Sequence, residues 1–153
     1  MNLKFFDGED LGKEGEPKSY ARGSSYFAEN LPFPTPENAI ILDMVGDIDL
    51  NIPIERNSYR QNPELVKALW KQAETLRLPA FKNWLGYAVY DDHVPLWEKA
   101  RIPAVDIIDF EYPNRSVNYW HTHRDVPENC SPASLGQVGI LLAHYIYNLE
   151  TND

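Results

Sequence analysis

AIILDM, residues 39–44, is an apolar run that closes on an acid. Apolar residues in succession, without alternation, suit a strand covered on both faces, as in a parallel sheet. AVDIIDF, residues 104–110, has the same build. Between the two, Asn62-Pro63-Glu64 marks a helix start. Asn is a good cap, Pro suits the first helical position, and Glu sits near the positive end of the dipole. Leu65, Val66, Leu69, Trp70, Ala73 and Leu76 follow at helical spacing. Strands separated by helices predict an α/β domain with a mostly parallel sheet.

Outward from that centre, residues 1–6 read as a further buried strand, followed by an Asp7-Gly8 turn. Residues 11–22 read as a loop and 23–31 as a short helix, with Ser24 or Ser25 as its cap. Three prolines make 32–38 a connector. Residues 46–61 read as an irregular excursion, and 78–84 as a short strand. Asp92 can cap a helix running to about Lys99, and 112–130 is a long loop. Ser131-Pro132 opens a last helix to about Asn148, with Leu135, Val138, Leu142 and Ile146 on one face.

The length of 153 residues suits a single domain, and 43% hydrophobic with 24% charged residues is ordinary for a globular chain. A net charge of -9 argues against nucleic acid as a partner, since such binding draws on Lys and Arg at phosphates. Cys130 is the only cysteine, which excludes an internal disulfide and a thiolate-rich zinc site. No apolar run approaches the roughly 20 residues of a membrane span. Lys4 is followed by only two apolar residues before Asp7, which is no signal peptide. As it stands the chain reads as cytoplasmic, with its compartment open. No dinucleotide-binding glycine motif, phosphate loop, nucleophile elbow or His-Glu-x-x-His is present.

In open α/β sheets, sites form beyond the carboxyl ends of strands. Glu9 with Asp10, Asp43, and the Asp109-Phe110-Glu111 stretch all fall at such ends. Adjacent side chains in a turn diverge, so one of Glu9 and Asp10 can bind a metal while the other meets substrate. A carboxylate beside a Lewis acid is well placed as a general base. A solvated acidic turn has the same sequence. His121 stands in Tyr-Trp-His-Thr, where an imidazole on a loop suits zinc and Trp120 can wall a pocket. A histidine merely packed on Trp120 is the plainer reading. Asp43, as a buried charge, needs a metal or hydrogen-bond partners. Asp92 is a cap or the holder of a hydrogen-bond network. His93, His123 and His144 are not read as ligands.

FFDGEDLG, GSSYFAENLP, IILDMVGD, YDDHVPL, IPAVDIIDF and YWHTHRDVPENCSPASLGQVG occur in that order. Together they resemble the carboxyl-terminal half of bacterial zinc aminopeptidases of metallopeptidase family twenty-eight, and the related glutaminyl cyclases. The resemblance covers nearly the whole chain. It implies a central mixed sheet flanked by helices in three layers, with metal at the strand ends and the amino-terminal strands missing. It implies Glu9 as general base or proton shuttle, Asp10 and His121 as metal ligands, and Trp120 as the pocket aromatic. It implies Asp43 as a ligand of a second metal or as a hydrogen-bonded acid, and Asp92 as an acid of the cyclase network. Zinc, one or two ions in a complete site, is the implied cofactor. A peptide with a free amino terminus is the implied partner.

Family members carry an earlier His-x-Asp motif and an Asn-Asp-Gly stretch, and neither is present. Catalytic zinc usually keeps three protein ligands, and the resemblance supplies Asp10 and His121, with Asp43 third only in a rearranged site. The expectation is weak zinc binding, little activity from this chain alone, and an exposed sheet edge covered by self-association or a partner chain. Three functional readings follow: an aminopeptidase unit, which leads; a glutaminyl cyclase; and a truncated, non-catalytic binding or assembly module.

Overall fold

The computed structural model describes residues 1–150. The chain runs through α1 (Arg22–Glu29), β1 (Ala39–Asp43), β2 (Ile52–Ile54), α2 (Arg56–Gln61) and α3 (Pro63–Thr75). It continues through β3 (Phe81–Leu85), α4 (His93–Ala100), β4 (Ala104–Ile108), the short strands β5 (Pro113–Asn114) and β6 (Val117–Asn118), and α5 (Pro132–Glu150). The two apolar runs meet as expected. β1 pairs with β4 in parallel, Ala39 opposite Ala104 and Asp43 opposite Ile108. β4 is buried at every position, the pattern of a strand covered on both faces. β2 and β3 form a second parallel pair beside it, and β5 and β6 an antiparallel hairpin inside the long loop. This is the α/β architecture the sequence predicts.

Two apolar clusters clamp the strands. On one side Leu65, Val66, Leu69, Trp70 and Ala73 of α3 and Val138 and Leu141 of α5 pack with Ile52, Val105 and Ile107. On the other, Ala28, Leu96, Ile102 and Ala104 form a smaller cluster with Phe6, Phe27 and Ile41 against it. Asn62 caps α3 as expected, its side chain accepting from the Leu65 N–H at 3.2 Å.

Several local expectations give way. Residues 1–6 are not a buried strand: no strand partner pairs with them, and Met1, Leu3 and Phe5 are exposed. A strand is defined by its ladder, and apolar content alone supplies no partner. α1 is not capped by Ser24 or Ser25. Its N-cap is Ala21 in left-handed backbone, and Ser24 is buried inside the helix, donating to the Ala21 carbonyl. The excursion at 46–61 contains β2 and α2. α5 turns its Ser134–Val138–Leu141 line inward and leaves Leu135 half exposed.

Candidate metal and proton-transfer site

β1 and β4 end side by side, and the acids gather at that end. The turn after residues 1–8 brings Glu9 and Asp10 to the same place. The loop after β6 brings Trp120 and His121. His121 Nε2 lies 2.7 Å from Asp10 Oδ1. The Trp120 ring lies over the His121 ring, centroids 3.9 Å apart at 20°, and Phe110 stands behind Trp120 at 5.7 Å. His121 holds a backbone φ of 57°, a left-handed conformation costly for a residue with a Cβ. That backbone turns its imidazole back onto Asp10.

Burial, the Asp10 hydrogen bond, and the charges of Asp10, Asp91 and Asp43 push the Glu9 carboxyl up to about 8. Partial burial opposes ionisation of Asp10, but hydrogen bonds to His121 and Glu9 outweigh it and hold its carboxyl below the usual range. Asp43 is pushed up to about 6 by burial, against a hydrogen bond from the Met44 N–H at 2.9 Å. The charges of Asp10, Asp92 and Asp125 push it the same way. Glu9, Asp10, Asp43, Trp120 and His121 therefore come together as the sequence predicts.

Asp92 also lies within electrostatic reach of Asp43. It stands at the N-cap of α4 without bonding the helix's N–H groups, and its side chain meets Ser24 of α1. Its neighbour Asp91 is the acid whose charge reaches Glu9. Asp91 is pushed up to about 7, chiefly by burial and then by Asp43.

Beneath these lies a group that sequence reasoning missed: Asp106 of β4, His93 of α4 and Glu55 before α2, all buried. Glu55 Oε1 accepts from Asn57 N–H at 2.9 Å and Val89 N–H at 3.0 Å. Its Oε2 accepts from the Ser58 N–H at 2.6 Å and the Ser58 hydroxyl at 2.7 Å. Burial would raise this carboxyl, but His93 and the backbone donors hold it at about 2. Two signals could have found the group: an acid inside an otherwise apolar strand, and a histidine directly after paired aspartates. Asp109, at the end of β4, serves a turn instead, accepting from the Asn51 N–H at 2.7 Å.

The model of peptidase family M28 matches residues 1–146. The chain belongs to peptidase family M28. Solved M28-like structures agree with its fold. A glutaminyl cyclase of Porphyromonas gingivalis superposes with a TM-score of 0.89 at 33% identity, over 95% of this chain and 52% of that one. A Zn-dependent exopeptidase of Parabacteroides distasonis gives 0.85 at 32%, over 94% and 53%. A leucine aminopeptidase precursor of Bacteroides thetaiotaomicron gives 0.85 at 28%, over 94% and 51%. The chain spans about half the length of the structures it matches. No described helix is long and apolar enough to cross a membrane.

Zinc is the ion an M28 fold implies, and the donors at the strand ends suit it. Asp10 and His121 present one carboxylate oxygen and one imidazole nitrogen, 2.7 Å apart. Bonds of about 2.0–2.1 Å to tetrahedral zinc set ligand atoms roughly 3.3 Å apart. A slight opening of this pair would admit the ion, with Asp10 and His121 as two of the three protein ligands usual at a catalytic zinc.

Proposed function

We propose that Asp10 and His121 are metal ligands, and that Glu9 is the proton carrier of a centre acting on peptide amino termini. In this reading the reaction is ring closure of amino-terminal glutamine. The observation that carries it is the Asp10–His121 contact at 2.7 Å with the Glu9 carboxyl beside Asp10. A carboxylate placed beside metal ligands can take a proton and give it back. A zinc ion bound there would polarise the side-chain amide. Glu9 accepts a proton from the attacking amine as the new C–N bond forms. It returns that proton to the departing nitrogen as the amide C–N bond breaks and ammonia leaves. Asp43 stands close enough for its charge to act on Glu9, and Asp92 ties the start of α4 to α1 through Ser24.

Likeness to the glutaminyl cyclase of Porphyromonas gingivalis supports ring closure, and Trp120 lies flat on the His121 ring as a pocket wall beside the ligand. Removal of the amino-terminal residue by hydrolysis is the second reading, supported by likeness to the Zn-dependent exopeptidase. A non-catalytic binding or assembly module is the third.

The test incubates the zinc-supplemented protein with an amino-terminal glutamine peptide and measures ammonia and free amino acid together. Ammonia release that falls at least about 100-fold in Glu9→Gln supports ring closure. Free glutamine without ammonia selects hydrolysis. Neither product leaves the non-catalytic module.

A further inference from the structure

We propose that Asp91, His93 and Asp106 form a second, buried site for a divalent transition-metal cation of the zinc class. It shares no residue with the Asp10–His121 pair. One donor atom from each of the three residues lies within 4.8 Å of the others. All three residues are enclosed: His93 and Asp106 are 0% exposed and Asp91 3%.

Their polar atoms have no hydrogen-bond partner. Asp91 Oδ2, both oxygens of Asp106 and both ring nitrogens of His93 are buried without one. A buried polar group left unsatisfied costs about 1–3 kcal/mol, more when charged, so Asp91 Oδ2, the two Asp106 oxygens and His93 Nδ1 need a common explanation. A dication between two carboxylates and an imidazole supplies it and leaves the enclosed group near neutral.

The orientation of His93 points the same way. Its Nε2 lies 3.3 Å from Glu55 Oε2, and its Nδ1 3.3 Å from Asp106 Oδ2. Glu55 is pinned by its backbone and hydroxyl donors, so it stands as a fixed carboxylate behind Nε2. A carboxylate that accepts from one ring nitrogen of a metal-binding histidine is the usual support of such a ligand. That arrangement gives Nε2 the proton and leaves the Nδ1 lone pair facing the Asp106 carboxylate. Lone pairs facing each other are held together by a proton or a cation. The 3.3 Å between Nδ1 and Asp106 Oδ2 also matches the ligand–ligand edge of tetrahedral zinc with bonds of about 2.0–2.1 Å. One imidazole with two carboxylates suits zinc, manganese or iron over calcium or magnesium, which take oxygen ligands. An ion so enclosed loads as the chain folds.

The test unfolds the chain, refolds it with excess zinc, dialyses against a weak chelator and counts retained metal. Asp10→Ala/His121→Ala, made together, removes the exposed donors and separates this site from the proposed catalytic one. The folded double variant is expected to keep about one zinc per chain, and Asp106→Asn added to it to keep at least about tenfold less. A folded double variant that retains no zinc overturns the proposal, as does zinc retention that Asp106→Asn leaves unchanged. Should Asp106→Asn fail to fold, cobalt decides in the double variant. Visible d–d bands of a tetrahedral nitrogen and oxygen site support the proposal, and a colourless folded protein overturns it.

Discussion

Glu55 precedes α2 in the sequence as one more charge in an unremarked stretch, yet its carboxylate oxygens both serve as acceptors for several donors. It ties together the start of α2, Val89 ahead of α4, and His93. Removing it strands those N–H groups and His93 in a dry interior. Glu55→Ala is therefore expected to destabilise the fold by about 3 kcal/mol, read as a shift in the urea midpoint at pH 7. Single residues were legible where chemistry declares itself locally. Glu9, Asp10 and His121 stand in short stretches that signal a site, and they do converge. Glu55 and Asp106 were not legible, because their roles depend on which buried neighbours face them. Asp92 shows the finest grain of the difficulty. Two adjacent aspartates are equivalent on paper, and the start of α4 sends Asp91 toward Glu9 and Asp92 toward Ser24.

Among the elements, β1, α3 and β4 are legible because each is long, strongly patterned or clearly capped. α2 is not, because Arg56–Gln61 has six largely polar residues and is held by its Glu55 cap, not by an apolar stripe. Residues 1–6 fail as a strand for the opposite reason: their apolar content is clear and their pairing is not. α5 is apolar enough on several sides that spacing could not select the inward face. Leu141 is fully buried and Leu135 is 50% exposed. Leu141→Ala should cost about 2–5 kcal/mol through lost burial and a cavity, and Leu135→Ala within about 0.5 kcal/mol. Equal losses in thermal unfolding would show that the helix faces inward by another line.

For the molecule as a whole, the crowd of acids sets how stability responds to pH. Asp43, Asp91 and Asp106 bind protons more tightly in the metal-free fold than in an unfolded chain. Their contribution is full below the ordinary carboxylate range, and that of Asp43 and Asp91 is lost as pH rises through about 6 to 7. Glu55 has the opposite sign: its contribution is present above about 4.5 and is lost as pH falls toward about 2. Metal-free protein should thus be most stable near about pH 4 to 5. It should lose on the order of a few kcal/mol by about pH 8, at about 1.4 kcal/mol for each tenfold difference in proton affinity between the folded and unfolded carboxyl. Urea titrations across that range check it, and stability rising steadily into alkali would contradict the arrangement.

The register that sets Ala39 against Ala104 has a kinetic side. β1 and β4 join distant parts of the chain, so local helices form before this pair can close. Asp43 and Asp106 ride on the two strands and are brought together in that closing step. Above the ordinary carboxylate range that closing works against mutual repulsion, whereas mild acid or a captured cation smooths the approach. The same negative charges that equip the finished site act as a brake on its assembly.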